Sequence, residues 1–437
     1  MSDVRTGDAA VIAGERTAAQ PEPVAPLGRD GAAAVVVLLV AATGIHDRLP
    51  DLSVLPVLSR MLWILMYAGA AATLAQRYGT EWVTWSLRRQ PALCVLLVLT
   101  AASTLWSLAP PITLLRSTSL LGTTVLGVFI GFVCPPSQMM RVLYWTFLVL
   151  IVASIAAELA FPAPVGDGVP IGWRGIMSHK NSLGPAAVLA ATFFLVVTLT
   201  RRVRPVFGIT LCVLCLIVVV EAHSRTSVVT LGACLAASAC LAIAWATRRP
   251  TGALVRRVSL GLVLVVSVGP FLVGPLAALF GNDDPLNGRT KIWNGALAIL
   301  GERPLSGYGY AVVWGRSDAT LLPHIAITAH RSAANAHNSI VNVATELGIP
   351  AAIVAGAYLF AALCDAGQLF EREPSAFSLF ALLFLVGFTV MGFAEAHLLQ
   401  IHSLFWILFV ALTVAVKRAL ERRGDGAASA GNRRPIQ

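Results

Sequence analysis

Roughly a dozen apolar runs, each close to the length that crosses a bilayer, follow one another along this chain of 437 residues. A hydrocarbon core of about 30 Å takes about 20 helical residues. It holds no water, so each backbone amide must be paired within its own helix or in a closed barrel. The runs lie at 31–45, 54–76, 91–108, 113–134, 142–161, 183–200, 205–222, 226–246, 258–280, 338–363, 376–394 and 399–416, and the first is short. With 57% hydrophobic and 12% charged residues, the chain is no soluble globule. The expected fold is an all-α integral membrane bundle of about 12 transmembrane helices. Residues 1–30, rich in Ala, Pro, Gly and charge, read as a disordered cytoplasmic tail and not as a signal peptide. Residues 31–416 form the membrane domain, and 417–437 a cytoplasmic C-terminal tail.

Charge orients the spans. With both termini inside, the inner segments hold 21 of the 32 Lys and Arg but 11 of the 22 acids, so the whole formal excess of +10 lies on the cytoplasmic face. The basic balance is therefore a topology signal, and it argues against nucleic acid. In this threading Arg60, Arg116, Glu158, Glu221, Arg225, Glu346 and Glu395 fall in the outer half of the bilayer or at its edge. Arg174, Lys180, Arg289 and Lys291 lie in outward loops above them. Ionisable groups at membrane depth are costly, so they mark a candidate site. All seven cysteines sit in spans or at inner ends, so no outward disulfide is expected. Cys212 and Cys215 form a C-x-x-C inside an apolar run, which reads as packing and not as a zinc site.

Two outward loops are long: 162–182, and 281–337 at 57 residues. The second carries Ile292, Trp293, Tyr308, Tyr310 and Trp314, too apolar for a disordered linker. Its segment 290–301 has helical spacing and is expected to lie flat on the membrane surface. Four constellations stand out. Arg174, His179, Lys180 and Asn181, at the start of a span, suit a phosphate, although interfacial anchoring would use the same cations. Glu221 to Ser227 form a tight polar turn holding Arg225, which meets the first group only if the bundle packs that way. Gly288-Arg289-Thr290-Lys291 precede the glycine turn Gly307-Tyr308-Gly309, better suited to a carbohydrate surface than to a nucleotide. His337-Asn338 open a span that contains Glu346. A helix mouth favours the neutral imidazole, which can take a proton from an attacking hydroxyl, although a capping pair would look the same. His324 and His330 are weaker candidates for the base, and Asp283-Asp284 fit a turn better than a metal.

In this order the motifs resemble the O-antigen ligase and Wzy-type polymerase superfamily, including its exopolysaccharide-polymerase branch. The carriers are Trp106-Ser107 with Arg116, Arg174-Gly175 with His179-Lys180-Asn181, Ser224-Arg225-Thr226, Gly288-Arg289 with Ile292-Trp293, Pro304 to Gly309, and Ala336-His337-Asn338 with Glu346. The resemblance implies a GT-C-like helical glycosyltransferase of the bacterial inner membrane, with its site on the periplasmic face and the large loop periplasmic. It would need no metal or cofactor and would move a glycan from an undecaprenyl diphosphate carrier to a glycan or lipid acceptor. His337 would be the base, with Arg174 and Arg225 holding the diphosphate and Arg289 in a second basic motif. Lys180, Asn181, Arg116, Asn338 and Glu346 are expected to add substrate contacts. Guanidinium forks in a water-poor chamber stabilise the leaving diphosphate as its charge grows. A single displacement would invert the anomeric centre. A multi-pass transporter or lipid-linked glycan flippase is the rival class, but it should place its charges near the midplane and in matching halves, and no internal repeat is present. Ligase and polymerase are equally open on these residues.

Overall fold

The computed structural model describes residues 27–43, 55–161, 172–246, 252–279, 288–314 and 335–431. His46, Asp283, Asp284, His324 and His330, with most of the tail 1–30, lie outside them. Among the described residues every regular element is helical. In chain order they are α1 (Arg29–Ala42), α2 (Leu55–Tyr78), α3 (Glu81–Arg89), α4 (Pro91–Ala102), α5 (Pro110–Val133), α6 (Pro136–Ala160), α7 (Lys180–Leu199) and α8 (Pro205–Glu221). They continue with α9 (Arg225–Ala246), α10 (Gly252–Leu279), α11 (Arg289–Glu302), α12 (Ser339–Leu347), α13 (Ile349–Arg372), α14 (Ala376–Ala394) and α15 (Leu404–Gly431).

Eight of these helices are long and apolar enough to cross a membrane, and the apolar segments Pro91–Leu105 and Pro205–Glu221 are shorter. The expectation of about twelve spans is thus met for eight among the described residues. At 1.5 Å per residue, the 12 residues of α4 extend about 18 Å, short of a hydrocarbon core. The run ends there because Ser103–Leu105 tighten into a 3₁₀ turn before Pro110, at the start of α5, opens the next helix without needing its amide paired. The helix α15 continues through residues expected to be a tail. Sequence analysis also missed α3, a short amphipathic helix with no buried residue.

The axis of the bundle is α14. It packs against α7, α9, α10, α12, α13 and α15. Its aromatic spine makes that possible: Phe380, Phe384 and Phe388 are almost wholly buried, and Phe388 stacks on Phe409 of α15 at 4.5 Å. A helix apolar on every side belongs in the interior, and this one is.

The predicted span 338–363 is two helices. Gly348 breaks it, at φ +88°, and Pro350 starts the second piece in its first turn. Continuous hydropathy hides such a break, because both pieces are apolar. The nine residues of α12 are all buried, so this helix dips into the bundle and returns. Its exposed carbonyls need partners, and the glycine turn supplies them. Tyr308 N donates to Thr345 O at 3.3 Å, and Gly309 N to Glu346 O at 2.9 Å. Ile349 N closes the clasp on Pro304 O at 2.8 Å. A Cβ on Gly348 would strike the Leu305 carbonyl, and one on Gly307 would lie 2.5 Å from Glu346 C. Only glycine fits that approach at positive φ. Tyr308 and Tyr310 are buried, so the turn is a packing device and not the carbohydrate surface expected of it.

Nor is the apolar face of α11 left for lipid. Trp293, Ala296 and Ile299 form a second small core with Trp314, Ala336 and Val341. The apolar face that suggested a lipid surface is covered by protein.

Candidate functional site

The turn before α12 places His337. Its N-cap Asn338 accepts from Ile340 N and Val341 N at 2.9 Å, which fixes where the helix begins. Asn338 Nδ2 donates to Val266 O at 2.9 Å and to Phe393 O at 3.2 Å, tying the turn to α10 and α14. From below, Trp293 Nε1 donates to Ala336 O at 2.9 Å, and Asn342 Oδ1 accepts from Ala336 N at 3.1 Å. Between these ties His337 adopts φ +47°. A non-glycine residue in that region costs energy, so the surroundings must over-determine it.

The residue at the centre of the site is Glu395, which caps the C-terminus of α14. Its Oε2 lies 3.0 Å from His337 Nδ1. Its Oε1 accepts from Arg289 Nη2 at 2.8 Å and from Asn181 Nδ2 at 2.9 Å. Three of the four sequence constellations therefore meet on one carboxylate, whose side chain is only 9% exposed. Ser339 Oγ donates to Glu395 O at 3.1 Å and accepts from His397 N at 3.0 Å, which holds the main chain on either side. Burial pushes the Glu395 carboxyl up. The His337 hydrogen bond, with the charges of His337, Arg289 and His397, outweighs it and leaves the group below its ordinary range. It stands ionised at neutral pH. With that carboxylate as acceptor, the neutral ring of His337 carries its hydrogen on Nδ1 and its lone pair on Nε2.

The fourth constellation is adjacent. Trp173 N donates to Glu221 O at 2.8 Å, which ties the arginine turn of Arg174 to the turn before Arg225. Close packing of α7 on α9 is allowed by Gly184, where a Cβ would meet Ser227 Oγ. Glu158 Oε1 accepts from Arg174 N at 2.9 Å and from Gly175 N at 2.7 Å. Asn181 N donates to His179 Nδ1 at 3.1 Å. The amide hydrogens of Arg174, Gly175 and Asn181 are thus bonded within the protein.

Each member of the Arg289–Glu395 pair lines a cavity of its own. One, of about 1010 Å³, is lined by His179, Asn181, His337, Glu395 and His397 together with α1, α2 and residues 400–405. The other, of about 350 Å³, is walled by Val229, Leu262, Val265, Val390 and Phe393. Arg225 and Arg289 are its cations. Arg174 and Lys180 line neither cavity.

Arg116, Asn338 and Glu346, expected to touch substrate, each have partners within the protein. Arg116 Nη1 donates to Ala311 O, and Glu346 Oε1 accepts from Asn342 Nδ2 at 3.1 Å. With Trp106 Nε1 donating to Ser306 O at 2.8 Å and Thr113 Oγ1 to Tyr310 O at 3.2 Å, they dock the loop 303–314 onto α5 and α12. Asn338 is fully buried and serves as the cap described above.

His397, which no motif marks, lines the larger cavity. Its ring lies 4.4 Å from Phe405 and 6.2 Å from Phe388, and Nε2 has no hydrogen-bond partner. Burial lowers it to about 4, with the Glu395 charge opposing. The unfolded chain therefore holds a proton on this ring between about pH 4 and 6.5 that the folded chain does not, so stability rises with pH across that window. We expect melting temperatures in detergent to climb from pH 4 to 6.5, by up to about 3 kcal/mol in stability. His397→Phe should flatten the climb, and an unchanged slope in that variant would contradict the assignment.

Among the described residues no group of three or more His, Cys, Asp or Glu is arranged to hold a metal ion. No curated protein matches the chain. The family model described as O-antigen ligase matches residues 210–356. That stretch runs from α8 into α13 and carries Arg225, Arg289 and His337, so the chain is similar to the O-antigen ligases, and the resemblance read from its motifs is borne out.

Proposed function

We propose that the protein is a bacterial inner-membrane glycosyltransferase that moves a glycan from an undecaprenyl diphosphate carrier to an acceptor hydroxyl. One observation carries this reading: a cation from the apolar cavity, Arg289, and a base in the polar cavity, His337, share the carboxylate of Glu395. Such a junction suits a substrate that is lipid at one end, sugar at the other and doubly phosphorylated between.

The prenyl chain would enter the cavity between α9, α10 and α14, whose walls are apolar apart from Thr226 and the two arginines. The diphosphate would lie against Arg225 and Arg289, and beside them Thr290 Oγ1 is buried without a hydrogen-bond partner. Arg174, Lys180 and Asn181 stand on the adjoining turn and would complete the positive field. The glycan would extend into the larger cavity. There His337 Nε2 takes the proton of the acceptor hydroxyl while its oxygen bonds to the anomeric carbon. The bond from that carbon to the phosphate oxygen breaks, and its electron pair leaves with the diphosphate. Fixed guanidinium groups favour that charge more as it grows, so they lower the barrier and do not merely bind. We assign neutralisation of the leaving group to these side chains, without a metal ion.

The test is binding of undecaprenyl diphosphate to the protein in nanodiscs. A charge-assisted hydrogen bond is worth about 1.5–3 kcal/mol, so Arg225→Ala should weaken binding by about 10- to 100-fold. Wild-type affinity in Arg225→Ala would remove the clamp and, with it, this account of the donor.

A further inference from the structure

The cavity that holds His337 has two unlike ends. At about 1010 Å³ it reaches the upper limit of sites that take one small ligand, about 300–1,000 Å³. The ionisable groups His179, His337 and Glu395 occupy one end. The other end is closed by Val40–Thr43 of α1, by Ser59, Leu62 and Trp63 of α2, and by Gln400, Ile401, His402 and Ser403. These helices belong to a different flank from the apolar cavity: α1 packs on α6 and α2 on α5, whereas α9 and α10 pack on α14.

This far end is built and not merely left over. The rings of Trp63 and His402 stack at 4.1 Å with 12° between their planes. Tyr67 flanks both, 5.9 Å from Trp63 and 6.3 Å from His402. Thr123 Oγ1 pairs with Tyr67 Oη at 3.1 Å and accepts from His402 N at 3.2 Å. His402 is held at φ +58°, so this scaffold, and not local preference, sets where its ring lies. Trp63 is buried beneath it at 6% exposure, which leaves the His402 imidazole as the partly exposed face of the pair.

We propose that this end of the cavity binds a pyranose ring of the acceptor glycan, seated on the His402–Trp63 pair. This inference rests on the transfer reading above. A pyranose has a face of C–H groups and a rim of hydroxyls, so it pairs with a flat aromatic surface ringed by neutral hydrogen-bonding groups. Ser59, Gln400 and Ser403 are such groups. Among the described residues no lysine or arginine lines the cavity, so this chamber is poorly made for the diphosphate. Geometry of the reaction points the same way. In a single displacement the incoming oxygen approaches the anomeric carbon from the side opposite the leaving group. With the diphosphate on Arg225 and Arg289, the acceptor must come from beyond His337, where the Trp63 wall stands.

The test uses the full chain in nanodiscs and two separate readouts. Saturation-transfer NMR is run with the methyl glycosides of glucose, galactose, mannose and N-acetylglucosamine. Undecaprenyl diphosphate affinity is measured on the same samples. At least one glycoside should show transfer, and Ser59→Trp, which fills the far end, should abolish it. His402→Ala should weaken it by about tenfold, the worth of one aromatic stack. Both variants should bind undecaprenyl diphosphate within about twofold of wild type, which also shows that they fold. No transfer from any glycoside, or transfer that survives both substitutions, overturns the acceptor site. Failure of the donor reading would show instead as unchanged undecaprenyl diphosphate binding in Arg225→Ala, so the two outcomes are distinguishable.

Discussion

Replacing His337 with alanine should lower glycan transfer by about 10²–10⁴-fold, the usual contribution of a positioned general base. Undecaprenyl diphosphate should stay bound within about twofold. The split follows from the structure. His337 lines the polar cavity, whereas the apolar cavity takes its cations from Arg225 and Arg289. Loss of the imidazole removes the proton acceptor and leaves the arginines in place. The measurement is transfer in vesicles supplied with carrier-linked glycan, with carrier binding followed separately. Unchanged turnover would exclude His337 as the base. A parallel loss of carrier binding would make it part of the donor seat instead.

The second large effect is expected at Glu395. Glu395→Gln keeps the shape of the side chain but replaces one accepting oxygen with a donating amide. That carboxylate faces donors on both oxygens, Arg289 and Asn181 on Oε1 and His337 on Oε2. The amide must therefore confront a donor, whichever way it turns. Turned toward His337, it makes Nδ1 the acceptor and moves the hydrogen to Nε2, the wrong tautomer for a base. Transfer should fall by about 10²–10⁴-fold, comparable to loss of the imidazole itself. Unlike His337→Ala, this variant should also bind undecaprenyl diphosphate less well, because a neutral amide oxygen holds Arg289 in its aim more weakly than the carboxylate did. Glu395→Ala should in addition lower the melting temperature, since breaking a buried ion pair costs about 3–5 kcal/mol and the half-screened Arg289 brings it toward the lower end. A Glu395→Gln protein with full transfer would show that the tautomer is set some other way.

Much of this was legible in the sequence, and the reasons differ by feature. Apolar runs report burial directly, so the helical bundle could be read from them. The break at Gly348 was not, because hydropathy is blind to φ. His337, Arg225 and Arg289 stand in motifs that resemble a family, and all three lie within the stretch its model matches. Glu395 had only its charge to mark it. Its partners Asn181, Arg289 and His337 lie 214, 106 and 58 positions away, and no local spacing encodes a meeting of that kind. Arg116 and Glu346 show the reverse. Charge at membrane depth marked them too, but packing uses them to clasp a loop. The Trp63–His402 pair was invisible because it joins α2 to a turn at the far end of the chain.

Arg289 lines one chamber and Glu395 the other, and the contact between them is an ion pair and not a rigid wall. Whatever occupies the lipid side must share Arg289 with Glu395, and the imidazole feels any change in that sharing. Occupancy on one side should therefore alter affinity on the other, and thermodynamic linkage requires the two influences to be equal in size.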